Sequence, residues 1–277
     1  VTAEGLDLLL VGCDDRQTRV PHLNARWAST STPAPCCRWA RPSRVVGRCS
    51  TSTSVGGVLV LAIDTSTPDL VTGLVDTTTG DTHDRVIPGT RAHNEQLTPT
   101  VRALLADAAV TFADLDAVVV GCGPGPFTGL RVGMASGAAF GDALGIPVHG
   151  VCSLDAIAHR LPAGRQLVAT DARRREVYWA TYKDGERTGG PGVDKPAELE
   201  PPHDVDVLSV PEHLAAQLPE ALQDLSHHDL APDAASLVAV ADLAATPEPL
   251  VPLYLRRPDA VPPRAVPRSP AIPEVEL

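Results

Sequence analysis

The chain has 277 residues, 43% hydrophobic but only 3% aromatic, with 23 basic and 34 acidic side chains and a net charge of −11. That is enough apolar material for one large core or two small ones, and no stretch of eighteen apolar residues is present to span a membrane as a helix. Charge is uneven: residues 1–57 hold seven arginines and four acids, whereas the rest holds sixteen basic and thirty acidic residues, a balance that repels a phosphate backbone and excludes unaided nucleic-acid binding.

Residues 1–57 mix Ser, Thr, Pro, Arg and Cys with neither helical nor strand period, so they are expected to be a disordered extension or a start site read too far upstream. A chain beginning at Val58 is expected to match the full one in solubility and melting temperature. Leu6–Val11 is too short an apolar run, and follows Glu4 too closely, for a signal peptide. The expected compartment is therefore the cytoplasm, with reduced thiols. Four of the six cysteines lie in this segment, and no Cys-x-x-Cys spacing accompanies them, which argues against zinc.

From Val58 the pattern sharpens. Val58–Ile63 reads as a buried strand ending in Asp64-Thr65-Ser66-Thr67, Leu70–Asp76 as a second strand, and Asp81–Pro88 as a third after the turn Thr77–Gly80. His93-Asn94-Glu95-Gln96 opens a helix with Leu97, Val101, Leu104, Leu105 and Ala108 on one face. Ala117–Val120 is a short β-branched strand. It runs into Gly121-Cys122-Gly123-Pro124-Gly125-Pro126 and then a helix, Gly129–Leu144. Strand, Gly/Pro loop and helix is a layout that can aim backbone N–H groups at an anion. It is equally the layout of a plain tight turn, and the spacing fits neither a Walker loop nor a dinucleotide fingerprint. Gly129, Gly133, Gly137 and Gly141 recur every fourth residue on this helix. Each costs about 0.5–1 kcal/mol against alanine, so another backbone must come close: the helix's own sheet, or a second subunit. Ile146–His149 is a strand, and Ser153 is expected to cap a helix over Leu154–Arg160.

A second series begins near Gln166. Gln166–Thr170 and Val177–Tyr182 read as strands, with Asp184-Gly185 as a hairpin turn. Asp206–Val210 is another strand, Pro211–Leu218 and Asp233–Ala245 are helices, and Val261–Leu277 is a Pro-rich tail expected to be disordered. The order βββαβα is the repeating half of the actin-like, Hsp70-like, sugar-kinase-like (ASKHA) architecture. The expected fold is thus α/β with two such halves, 58–165 and a reduced 166–260.

Five ordered motifs resemble the TsaB (YeaZ) family: Leu61-Ala-Ile-Asp-Thr-Ser-Thr67, His93-Asn-Glu-Gln-Leu97, Gly123-Pro-Gly-Pro-Phe-Thr-Gly-Leu-Arg-Val-Gly133, Asp171-Ala-Arg-Arg-Arg-Glu-Val-Tyr178 and Pro252-Leu-Tyr-Leu-Arg256. The resemblance implies a non-catalytic assembly subunit in the formation of N6-threonylcarbamoyladenosine (t6A) at position 37 of ANN-decoding tRNAs. It implies a catalytic paralogue, TsaD, an ATPase, TsaE, and self-association through the same helical surface. It also implies that ATP and metal sit on the partners and that tRNA is reached only through the complex. The catalytic paralogue carries His-x-x-x-His after its third strand, a pair that shares one helical face; here His93 is followed at i+4 by Leu97. An active ASKHA enzyme, an ATP-dependent kinase or a metallopeptidase, is the competing reading.

Candidate cofactor-binding residues are Asp64, Thr65, Ser66, Gly123 and Gly125, with no catalytic or metal residue assigned. Asp64 is either a catalytic or metal-water carboxylate or a structural acceptor for the turn after its strand. Arg131 is either an anion ligand or a cap on loop carbonyls. Asp171, Arg173 and Glu176 are either an ion-pair network or a solvated charge run. The expected interface comprises Leu97, Val101, Gly129, Gly133, Met134, Gly137 and Gly141.

Overall fold

The computed structural model describes residues 58–201 and 204–256. The expectations for residues 1–57 and for the tail 261–277 lie outside the described residues. Strand β1 (Leu59–Asp64) pairs antiparallel with β2 (Leu70–Asp76), which pairs antiparallel with β3 (Thr82–Ile87). Helix α1 (His93–Asp107) leads to β4 (Ala117–Gly121), parallel to β1. Helix α2 (Phe127–Leu144) leads to β5 (Val148–Val151), parallel to β4. The sheet order is β3-β2-β1-β4-β5.

After α3 (Ser153–Arg160) the plan repeats. Strands β6 (Arg165–Asp171), β7 (Val177–Lys183), β8 (Glu186–Asp194), β9 (Val207–Ser209) and β10 (Ser226–His228) form a second sheet in the order β10-β9-β6-β7-β8. Read from its other edge, this is the order of the first sheet, displaced by five strands. The copy is reduced: β9 and β10 have 3 residues each, and the intervening α4 (Glu212–Ala215) and α5 (Glu220–Gln223) have 4 each.

Burial explains the strand signals. On β1, Leu61 and Ile63 enter the core beneath α1 and α2, while Val60 and Ala62 enter the core on the opposite face. Both faces are covered, so the run is apolar throughout rather than alternating. Helix α3 lies between the sheets: Ala156 joins the first sheet's core, and Leu154 and Ile157 pack with Val168, Ala180 and Tyr182 of the second. Helix α6 (Ala234–Ala239) crosses back, with Leu237 and Val238 on the first sheet. Gly73 permits this crossing, because a Cβ there would overlap the side chain of Ala234.

Three local expectations change. Asp233–Ala245 is helical only over α6, capped by Asp233, which accepts from Ser236 N at 2.8 Å. Pro211–Leu218 is helical only over α4. No strand is expected over Ser226–His228, where β10 forms. The Asp184-Gly185 turn forms as expected, both residues having positive φ (52° and 87°).

Candidate functional site

Five of the singled-out residues converge where β1 ends. Asp64 has 0% solvent exposure. Its Oδ1 accepts from Ser66 N and Ser66 Oγ, both at 2.7 Å, and its Oδ2 accepts from Ser153 Oγ at 2.5 Å. Burial raises the Asp64 pKa, opposed by the hydroxyls of Ser153 and Ser66. The expected cap role of Ser153 on α3 does not hold. The cap position falls on Cys152, and the Ser153 hydroxyl faces Asp64.

The Gly/Pro loop closes over this carboxylate. Ser153 N donates to Gly123 O at 2.8 Å and Gly123 N donates to Ser153 Oγ at 3.3 Å. Cys122 N donates to Val151 O at 2.7 Å. The first amides of the loop are therefore engaged by the protein itself. A Cβ on Gly121 would overlap Asp64, and one on Gly125 would overlap the backbone of Ser66. The loop and the β1–β2 turn are zipped together, so Asp64, Ser66, Gly123 and Gly125 form a sealed junction.

Thr65 is placed differently. Its hydroxyl donates to Gly129 O at 2.7 Å and accepts from Gly133 N at 3.1 Å. It thus inserts between the two groups that an unperturbed helix would join directly. This contact sets the direction of the glycine stripe. Gly133 abuts Thr65, Gly137 abuts Val120, and Gly141 abuts Val148, so the stripe seats α2 on its own sheet. Leu97, Val101 and Met134 are 1%, 0% and 8% exposed within the same core. Of the two readings of the stripe, the intramolecular one holds. The expected interface residues point inward, Gly129 against the backbone of Thr65, because the apolar face chosen from periodicity is the face this fold consumes.

What α1 and α2 present outward had a weaker sequence signal. Phe127 and Tyr254 are 45% and 39% exposed with ring centroids 5.0 Å apart. The Arg131 guanidinium lies 3.9 Å over the Phe127 ring and its Nε donates to Tyr254 Oη at 3.0 Å. Arg131 therefore neither caps the loop nor sits free for an anion. Ala135, Ala138, Leu250 and Pro252 continue this surface as a shallow depression of about 530 Å³.

The Asp171–Glu176 segment is also rearranged. Glu176 pairs with Arg256, whose Nη1 donates to Ala172 O at 3.2 Å. Asp171 Oδ1 accepts from the Arg173 backbone at 2.6 Å, leaving the Arg173 side chain in an open cleft with Thr65, Thr67 and His93. The two thiols among the described residues, Cys122 and Cys152, are poor nucleophiles. Burial pushes Cys122 up to about 11 and Cys152 up to about 12, with Asp64 and Asp155 adding respectively. Among the described residues, no group of three or more His, Cys, Asp or Glu is placed to hold a metal, and no helix is long and apolar enough to cross a membrane.

Two sheets of one strand order, joined by a helix packed between them and a helix that crosses back, define an actin-like ASKHA protein. The family model described as TsaD, tRNA N6-adenosine threonylcarbamoyltransferase, matches residues 84–249. The chain is 30% identical to YeaZ from Pseudomonas aeruginosa, covering 66% of this chain and 89% of that one with a TM-score of 0.58. It is 56% identical over 209 residues to an uncharacterised protein of Mycobacterium tuberculosis, 73% of this chain and 94% of the relative. It is 37% identical over 148 residues to the tRNA threonylcarbamoyladenosine biosynthesis protein TsaB of Escherichia coli, 51% of this chain and 62% of that one. The chain belongs to the TsaD-type family and, within it, to the TsaB (YeaZ) proteins.

Proposed function

We propose that this chain is the non-catalytic docking subunit of a cytoplasmic t6A-forming complex. It pairs with a TsaD-type catalytic paralogue, TsaE joins them, and tRNA is met only through the assembly. ATP turnover and metal chemistry belong to the partners. The supporting observation is the sealed Asp64. A carboxylate that positions a nucleotide-bound metal or activates a hydroxyl must reach the reacting atoms, and this one has both oxygens occupied at zero exposure. The same observation disfavours the kinase reading, and Leu97, in place of a second histidine, disfavours the metallopeptidase reading.

The test is reconstitution of t6A formation from purified chain, paralogue, TsaE, threonylcarbamoyl-AMP and tRNA. The chain alone should form no t6A and hydrolyse no ATP, and omitting it should stop or sharply slow the reaction. An Asp64→Asn variant should support the complex as the unaltered chain does. Turnover by the isolated chain that Asp64→Asn abolishes would refute the proposal.

A further inference from the structure

A separate cavity lies along the edge of the first sheet. Strand β5 ends the order β3-β2-β1-β4-β5, so one side of it has no strand neighbour. On its other side Val118 N donates to Pro147 O and Cys122 N to Val151 O. Odd-numbered residues of β5 therefore turn their backbone groups toward β4, and the N–H and C=O of Gly150 point outward together. Residues 240–253 return along this edge, tied by Leu253 N donating to Cys122 O at 2.9 Å, and with β5, the start of α3 and Arg187 they enclose about 440 Å³. Small-molecule sites occupy about 300–1,000 Å³. His149 turns its ring away from α2, since its neighbour Val148 is the residue that abuts Gly141. That ring lines the cavity, is 7% exposed, and leaves Nε2 without a hydrogen-bond partner. Buried polar atoms are nearly always satisfied, so this one calls for a group that the chain does not supply. Arg187 is already engaged, its Nε and Nη2 donating to Asp155 at 3.0 and 2.5 Å. The other charged side chains of the wall are Asp242 and Glu248, and Val240, Leu250 and Val251 give it apolar surface.

We propose that this cavity binds an uncharged planar heterocycle, a nucleobase either free or carried on ribose, through the Gly150 backbone and His149. One residue's N–H and C=O, presented side by side, match a ligand edge with an acceptor next to a donor, as every nucleobase carries. Nε2 of His149 takes one further polar atom of the ring system, and the apolar side chains cover its faces. Asp242 and Glu248 accept from ribose hydroxyls and repel a phosphate, so the unphosphorylated form is the one that fits. The inference is independent of the docking role. The cavity shares no lining residue with the cleft at Thr65, His93 and Arg173, and binding there requires no turnover.

The experiment is calorimetric titration of the full chain with adenine, hypoxanthine, cytosine and uracil, with their ribonucleosides, and with the matching 5′-monophosphates, at fixed ionic strength and without metal. Saturable binding is expected for at least one base or nucleoside, and the tighter of the two forms names the source of the heterocycle. The monophosphate of that nucleoside should bind more weakly. His149→Phe, which keeps a ring and removes its nitrogens, should bind about tenfold more weakly, the equivalent of one hydrogen bond. Arg102→Gln, exposed on α1, should bind as the unaltered chain does. A second readout uses the unaltered chain and depends on no variant folding: on saturation the backbone amide resonance of Gly150 and the ring resonance of His149 should shift, while the ring resonance of His93 does not. Absence of saturable binding by every base and nucleoside, binding unchanged in His149→Phe, or unmoved Gly150 and His149 resonances would each overturn the site. So would binding in which the monophosphate is the tighter ligand and the His93 resonance moves, which would place the ligand in the other cleft.

Discussion

Asp64 shows how a residue can carry the sequence signature of catalysis and serve as a joint. Its carboxylate gathers one backbone and two hydroxyl donors at zero exposure. Asp64→Ala would strand all three donors, and an unsatisfied buried polar group costs about 1–3 kcal/mol. We expect that variant to lose several kcal/mol in urea unfolding, and Asp64→Asn, which keeps an acceptor for Ser66, to lose markedly less. The pH dependence has a definite sign. Because the folded-state pKa is raised, the folded chain binds the Asp64 proton at a pH where the unfolded chain has released it. The associated stability is therefore fully present below the unfolded pKa, about 4, and lost as pH rises through the folded value. Asp64→Asn should flatten that part of the stability–pH curve. An unchanged slope would show that other groups set it.

At the scale of the element, α2 is the informative case. Gly133→Ala and Gly137→Ala would each place a methyl where Thr65 or Val120 already stands, and such overpacking costs about 1–3 kcal/mol. Both should lower the urea midpoint. Ala135→Leu, on the exposed face, should stay within about 0.5 kcal/mol of the unaltered chain. Gly133→Leu is thus a fold-breaking change rather than a probe of docking. The glycine spacing was legible in the sequence as close approach, but the neighbour was not, because Thr65 is 68 residues from Gly133. The same distance rule sorts the rest. Strands β1 and β4 were legible because burial on both faces writes itself into consecutive residues. Strand β9 lies within the expected Asp206–Val210 run, whereas β10, at 3 residues, is too short to show a period and exists through its parallel pairing with β9. Ser153 as the partner of Asp64, and the return of α6 to the first sheet, were hidden for the same reason.

For the whole molecule, the question is which surface is left for a partner once the fold has used the inner faces of α1 and α2. The chain has only three Phe and three Tyr, yet Phe127 and Tyr254 stand side by side in solvent. Aromatic and arginine side chains are over-represented among residues that dominate binding energy, because they offer area at little entropic cost. Here Arg131 holds both rings in place before any partner arrives, which reduces the ordering cost of association. The small residues Ala135 and Ala138 beside them let a facing helix approach closely. Tyr254 also belongs to a segment that ties both halves together: Leu253 N donates to Cys122 O at 2.9 Å and Arg256 pairs with Glu176. The patch is therefore anchored to each half of the molecule. We expect Phe127→Ala and Arg131→Ala each to weaken binding to the TsaD-type paralogue by about tenfold to a hundredfold, the equivalent of roughly 1.4–2.8 kcal/mol. Neither should shift the unfolding midpoint by more than a surface substitution does. If a second copy of the chain uses the same surface, both variants should weaken self-association in gel filtration in parallel, and the paralogue should compete with it. Titration of each folded variant against the paralogue decides the matter: affinity equal to that of the unaltered chain would place the docking surface away from α2.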